Sequence, residues 1–331
     1  MSTPVIATPV ADTAAVQGGP TAGQRLTSFM PVIALVALLA ALTVADPDFL
    51  TQSSLTAVVR TSAPLVVLAT GATLVVLCGG IDLSIAALCS LSTVFFAMWL
   101  PDLGDLTTVA VIAAAGAIGA VQGLAHVLLR IPSFIVTLGG LSICSAVALV
   151  ISDAGPIRIV DREATHWLTL YVGGVVPMAF VVAVVAVAVV GLVLRLTPLR
   201  TWITATGYSE SAARLAGSPV DLVKVGAFMV SGAFAGLAAV MLVSRNFSGS
   251  PTMADNLLLP AVAAIVVGGT AITGGHGSIW RSLVGALVIT LLRVGLPIVG
   301  VPSAYEQILY GAIIVAAVAL TLDRSKVLII K

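Results

Sequence analysis

Residues 175–194 read VVPMAFVVAVVAVAVVGLVL and carry no charge. A run of about twenty residues makes a helix roughly 30 Å long, the thickness of a bilayer's hydrocarbon core. Lipid offers no water to bond backbone polar groups, so a spanning run must satisfy them internally as a helix. Similar runs recur along the chain. They predict about ten helices, at 27–45, 62–78, 84–100, 107–129, 134–152, 171–195, 223–243, 257–269, 279–295 and 304–321. The eighth is short and reads as a partial or re-entrant segment. The expected fold is an all-α integral membrane protein. Composition agrees: 59% of residues are hydrophobic and 9% charged, against about 45–50% and about 25% in soluble domains. The mean hydropathy of +1.17 is too high for one aqueous core.

The charged residues orient this bundle. With the N-terminus inside, the inner segments hold Arg25, Arg130, Arg195, Arg200, Arg214, Lys224, Arg281, Arg324, Lys326 and Lys331. The outer ones hold Arg60, Arg158, Arg162, Arg245 and Arg293. Cytoplasmic loops carry the lysine and arginine excess, so both termini are expected in the cytoplasm. Residues 1–26, rich in Ala, Thr, Pro and Gly with no leading apolar stretch, read as a disordered cytoplasmic tail. Residues 27–321 form the membrane domain and 322–331 a second cytoplasmic tail.

Several chemistries are excluded. A net charge of +1 without a basic cluster gives no purchase on nucleic acid. Cys78, Cys89 and Cys144 lie in apolar runs without metal-ligand spacing. His126, His166 and His276 form no ligand set either. His126 alone lies at membrane depth, as a packing residue or a proton relay. No glycine-rich loop ends in Gly-Lys-Ser or Gly-Lys-Thr, so ATP is not bound by that route. No nucleophile has a base at a useful spacing. Neither a cofactor nor a metal is expected. Nearly every charge sits at a span end, which describes a conduit powered from elsewhere.

Two connections are long. The outer one covers about 153–170. The inner one, 196–222, reads LTPLRTWITATGYSESAARLAGSPVDL. It is too polar to cross lipid and predicts a short helix from Ser209 to Ala216. Ser209 is its N-cap, Glu210 lies in its first turn, and Gly217-Ser218-Pro219 stops it. There is also an internal echo. CGGIDLS follows the second span and VGGTAITGGHGS the eighth; IPS (131–133) and VPS (301–303) stand near the fifth and tenth. A pseudo-repeat is suggested, and transporters place sites at such repeat interfaces.

GGIDLS (79–84), PSFIVTLGGLSI (132–143), ATGYSESAARLAG (205–217) and AAIVVGGTAITGGHGSIWRSLVGAL (263–287) occur in this order. Together they resemble the permease subunit of bacterial ABC importers for monosaccharides, of the ribose, xylose and galactoside type. The similarity covers about residues 60–321. It implies a type II-like importer architecture in the cytoplasmic membrane. Its partners would be cytosolic ATP-binding cassette subunits, a periplasmic sugar-binding protein and a second permease copy or homologue. Permeases for nucleosides and branched-chain amino acids share the wider architecture, and a stand-alone ion-coupled carrier is the remaining alternative.

The resemblance also assigns the inner loop as the ATPase-coupling segment. Thr197, Ala205, Gly207, Ala212, Ala213 and Gly217 match the family's loop. Arg200 stands where glycine is usual, Thr201 where arginine is usual, and Ser209 where asparagine is usual. A helix with a small-residue face, carrying Glu210, Ala212 and Ala213, can seat closely in a partner's groove. The remaining candidates concern the pathway. Gly268, Gly269, Thr270, Gly274 and Gly275 shape either an inner gate or a tight turn. Ser133 and Thr137, four apart on one helix face, either line a polar path or bond neighbouring backbone. Gly79, Gly80, Asp82 and Ser84 are placed at the inner face. There Asp82 either caps the third span, touches the coupling loop, or meets substrate.

Overall fold

A computed structural model describes residues 22–161 and 163–321. The tail segments 1–21 and 322–331 lie outside the described residues. The chain opens with α1 (Ala22–Ala45), α2 (Gln52–Leu77), α3 (Ile85–Leu103), α4 (Thr107–Leu128) and α5 (Ser133–Ile151). Helix α1 begins five residues ahead of the expected first span.

After α5 the connection expected on the outer side is more structured than its sequence suggests. Strand β1 (Ile157–Arg158) pairs antiparallel with β4 (Ser248–Gly249), and a short helix α6 (Glu163–Thr169) lies between. Strands β2 (Tyr171–Val172) and β3 (Val176–Pro177) form a hairpin. The sixth span was expected from residue 171, but its helix α7 runs Met178–Leu196. Gly173 and Gly174, with φ of 60° and 71°, turn the chain back before the helix begins.

The connection expected on the inner side holds two helices, α8 (Leu199–Tyr208) and α9 (Glu210–Leu215). Then follow α10 (Val220–Asn246), α11 (Leu258–Val267), α12 (Ile279–Ile298) and α13 (Glu306–Thr321).

Six helical stretches among the described residues are long and apolar enough to cross a bilayer: 52–77, 85–128, 133–151, 178–196, 220–246 and 279–298. The expected count of about ten is not established by this criterion, for two reasons. Helices α3 and α4 run on through a 3-10 turn and count as one stretch of 44 residues. They pack on each other, so the stretch is a hairpin. The apolar part of α1 (Phe29–Ala45), α11 and α13 fall short of the ~20 residues a full crossing needs. At ten residues, α11 rises only about 15 Å.

Helix α10 is the centre of the bundle. It packs most extensively on α4, then on α2 and α3. The α4–α10 crossing is set by glycine. A Cβ added to Gly232 would stand 3.1 Å from Gly119 Cα and overlap the Ala115 carbonyl oxygen. Only small residues allow backbones this close, and close approach is what joins helices in lipid, where apolar burial gives no preference. Helix α2 fills the space beside α10, and its residues from Ala63 to Leu77 are all buried.

Candidate functional site

The site lies at the end of the bundle where α7 gives way to α8 and α9. Helix α2 stops there with Gly79 at φ 80°, where the Gly79 N–H donates to Val76 O (2.9 Å) and Gly80 N–H to Val75 O (3.0 Å). Helix α11 stops in the same way. Gly269 has φ 73°, its N–H donates to Val266 O (2.8 Å), and Thr270 N–H donates to Ile265 O (3.1 Å). This paired bonding satisfies the last free carbonyls of a helix and needs a left-handed residue, hence glycine. The sequence echo is therefore a local structural identity.

The loops that follow these two ends meet. Gly275 N–H donates to Leu77 O at 2.9 Å. A Cβ on Gly274 would stand 2.7 Å from Gly79 Cα and 3.1 Å from Gly207 Cα. Gly207, in the last turn of α8, rests against the same point. A Cβ on it would overlap Leu77 O and Gly275 N, and one on Gly275 would come 2.7 Å from the Tyr208 ring. Gly79, Gly207, Gly274 and Gly275 thus form one junction in which three chain segments touch through backbone. Gly268, Gly269 and Thr270 are not part of it. They pack on the start of α12, where Thr270 Oγ1 accepts from Ser278 N–H at 3.4 Å.

Beside the junction is a cavity of about 400 Å³, lined by Gly79, Gly80, His126, Ser133, Thr206 and Lys224 among others. His126 Nδ1 lies 2.6 Å from Ile131 O, and its ring meets Phe228 edge-on. Thr206 Oγ1 is buried and has no hydrogen-bond partner among the described residues. Ser133 and Thr137 both engage one residue. Ser133 Oγ accepts from Ile81 N–H (3.0 Å), and Thr137 Oγ1 donates to Ile81 O (3.1 Å). Their hydroxyls hold the chain between α2 and α3 in place.

Asp82 does not lie at the face where it was expected. Its carboxylate is buried: Oδ1 accepts from Ser84 N–H (3.0 Å) and Ser84 Oγ (2.7 Å), and Oδ2 from Ser231 Oγ (2.7 Å). From the start of α10 at Val220 to Ser231 the helix rises roughly 16 Å. After α2 the chain therefore turns back into the bundle before α3 starts. Ser84 Oγ also stands 2.7 Å from Gln122 Oε1 on α4. One hydroxyl proton cannot serve both carboxylate and amide oxygen. Turning the Gln122 amide lets its NH2 donate to Ser84 and completes the network. Asp82 thus binds the first turn of α3, as its sequence position suggests, and also pins it to α10.

Removing that carboxylate strands two hydroxyls, at about 1–3 kcal/mol for each buried orphan. We expect Asp82→Ala to lower the unfolding midpoint in detergent by several-fold more than Asp82→Asn, which keeps an acceptor for Ser84. An alanine variant as stable as the parent would contradict this network.

The other coupling candidates divide. Thr197 caps the end of α7, donating to Val193 O at 2.6 Å. Arg200 is exposed at the start of α8. Ser209 caps α9, accepting from Ala212 N–H at 3.3 Å, and Gly217 ends it at φ 81°. Ala213 is only 2% exposed and packs inward, so the small-residue face is not presented whole to a partner. Every residue of α9 but Ala213 is exposed, and beside the charged Glu210 and Arg214 the helix presents Ser211, Ala212 and Leu215, with Ala216 just past its end. Glu210 is held by its own chain. It accepts from Arg214 Nη2 (2.9 Å) and Lys224 Nζ (2.5 Å), while Arg214 also grips Asp221. These pairs tie α9 to the first turns of α10.

Sequence reasoning missed α8 itself. Its signal was the spacing of Leu199, Trp202 and Ile203, continued by the buried Thr206, ahead of the one helix expected in this connection.

The hydrogen bond from Lys224, with Arg214 adding to it, holds the Glu210 carboxyl below the usual carboxylate range. A lowered folded pKa means the pair stabilises above the unfolded group's range and is lost as pH falls through the folded value. Protection of the α9 amides, taken against the intrinsic exchange rate at each pH, is expected to stay constant across neutral pH and to fall only in acid. Loosening on going from neutral to mildly alkaline pH would count against this assignment.

The family described as "Branched-chain amino acid transport system / permease component" matches residues 54–318. The chain belongs to this permease family. Among its relatives is the ribose import permease RbsC of Escherichia coli (strain K12), 33% identical over 293 residues, covering 87% of this chain and 91% of the relative. The ribose import permease RbsC of Bacillus subtilis (strain 168) is 32% identical over 308 residues, 92% and 94% of the two chains. The L-arabinose ABC transporter permease AraH of Azospirillum brasilense is 29% identical over 291 residues, 87% and 85%. The matched region contains the junction, the Asp82 network and the α8–α9 elbow.

Proposed function

We propose that the permease is the membrane-spanning subunit of an ATP-driven, binding-protein-dependent importer of a monosaccharide. The observation that carries this reading is the elbow. Helix α8 packs on α2, α7 and α10 and α9 on α10, and Gly207 seats α8 on the end of α2 and the loop after α11. A push on the elbow by an external ATPase would reach two helices of the pathway together. The relatives named for ribose and L-arabinose support the substrate class. A neutral, hydroxyl-rich cargo needs no fixed charge in its path, and a wall of weak polar groups favours release.

In this reading the α8–α9 end faces the cytosol, as the lysine and arginine bias indicates. About ten helices cross or enter the membrane, with α11 a half-crossing segment. ATP-binding cassette subunits meet Ala212, Leu215 and Ala216. A binding protein docks at the opposite end, where Arg60 and Arg245 line a cavity. A second permease copy or homologue completes the pore.

The test is reconstitution in liposomes with the ATPase and binding-protein subunits. Uptake of labelled ribose or arabinose is expected to need all components and ATP, and to stop with vanadate. Uptake by the permease alone on an ion gradient would instead make it a stand-alone carrier. The family's own description favours one further reading, a branched-chain amino acid as cargo. Unlabelled leucine competing in place of sugar would establish that reading.

A further inference from the structure

On the flank of α7 away from α10 there is a cleft of about 220 Å³, between the end of α7, helix α8 and the start of α12. Arg195, Arg200, Thr204, Ser278 and Trp280 line it. Neither arginine has a carboxylate within salt-bridge distance among the described residues. The indole lies edge-on to Gly191 of α7, where a Cβ would come 3.1 Å from Nε1. Two arginines, a tryptophan and a serine thus line one small space. All of them donate, and none of the lining side chains is acidic.

The surroundings identify what is expected there. Along α7, Val185, Val189, Leu192 and Leu196 are 53%, 55%, 55% and 74% exposed. That is a lipid-facing surface. Its last turn, where Arg195 sits, falls at the edge of the hydrocarbon, the level at which arginine and tryptophan side chains meet headgroups. On the other flank of α7 an apolar groove of about 410 Å³ is walled by Leu194 and Ile203, the side chains that also wall the cleft. At membrane depth such a groove is filled by hydrocarbon. Both flanks of the α7–α8 turn are therefore open to the bilayer, and one carries an unneutralised double positive charge.

We propose that this cleft binds the headgroup of an acidic phospholipid. Its phosphate lies on Arg195 and Arg200, with Trp280 and Ser278 completing the donor set. The acyl chains run along the exposed face of α7. The site would tie the position of α8, and hence the elbow, to the membrane's anionic lipid content. The choice of lipid over an acidic protein surface rests on the apolar face of α7 continuing directly into the arginines.

The full chain, purified in mild detergent, is incubated with equal amounts of phosphatidylglycerol and phosphatidylcholine of matched chain length. Retained lipid is read by native mass spectrometry. Phosphatidylglycerol is expected to be kept preferentially. An arginine near an anionic surface is worth about fivefold in affinity, so Arg195→Gln with Arg200→Gln loses roughly 30-fold of that preference. Should that double variant fold poorly, the parent chain still decides. Phosphatidylglycerol brominated in its acyl chains must quench tryptophan fluorescence beyond the phosphatidylcholine equivalent, and Trp280→Leu must remove the excess. Equal retention of the two lipids overturns the proposal. So does displacement of phosphatidylglycerol by sn-glycerol 3-phosphate, which would mark a site for a soluble phosphate ester. Displacement by the ATPase subunit, together with loss of that subunit from the double variant, would assign the arginines to that partner and overturn it too.

Discussion

Gly207→Val is expected to abolish ATP-driven uptake while the chain still inserts and the assembled ATPase still turns over. A Cβ at this position overlaps Leu77 O and Gly275 N, the two atoms that already bond each other at 2.9 Å. Neither obstacle is a side chain that can turn away. The last turn of α8 must lift, or the Gly275–Leu77 bond must break. Because both obstacles are backbone, the cost should pass about 3 kcal/mol, the upper end of over-packing where side chains adjust, which moves a docking equilibrium by more than roughly 150-fold. Uptake in the reconstituted transporter measures the effect. Valine-substituted permease that transports at the parental rate would remove the junction from the transport cycle. Gly217→Ala is a useful contrast. A Cβ there meets nothing within 4 Å, so the change tests backbone strain at φ 81° alone.

The second large effect concerns stability. Gly232→Val is expected to leave little monodisperse protein after detergent extraction. The added group would meet the Ala115 carbonyl and Gly119 Cα across the most extensive helix contact in the bundle. Because the obstructing atoms are backbone, the cost should pass about 3 kcal/mol, the upper end of over-packing where side chains can adjust. Gly226→Ala, six residues earlier on the same helix, is the control. Its Cβ finds open space, and replacing glycine by alanine favours a helix by about 1 kcal/mol. Size-exclusion profiles and thermal midpoints of the two variants should therefore move in opposite directions. If both elute like the parent, the α4–α10 crossing has room for a side chain at Gly232.

Much of the fold was legible because apolar run length is a strong signal in lipid. Each of the ten expected runs overlaps a helix, although only six helical stretches among the described residues are long and apolar enough to cross a bilayer. The local stop and start signals were equally readable. Ser209 caps α9, and Gly217 ends it. What the sequence hid is of another kind. The Gly173–Gly174 turn shortened α7, because a two-glycine turn inside a hydrophobic stretch looks like part of the stretch. Helix α8 has too few apolar residues to register as a span and too many polar ones to stand out from a loop. Asp82 was readable as a cap, but its depth follows from the chain re-entering the bundle after α2, and no local pattern encodes that. The meeting of Gly79, Gly207 and Gly274 joins segments more than sixty residues apart. Each glycine alone looks like a turn residue; only their coincidence in space makes a site.

That coincidence has a mechanical consequence. The junction is built from main chain, with peptide groups against peptide groups. Side chains can absorb a displacement by changing rotamer, but helix ends held by their own hydrogen bonds have no such slack. Such a contact behaves as a stiff fulcrum. A displacement of α8 would therefore load the end of α2 and the loop after α11 together, while the end of α11 itself rests on α12.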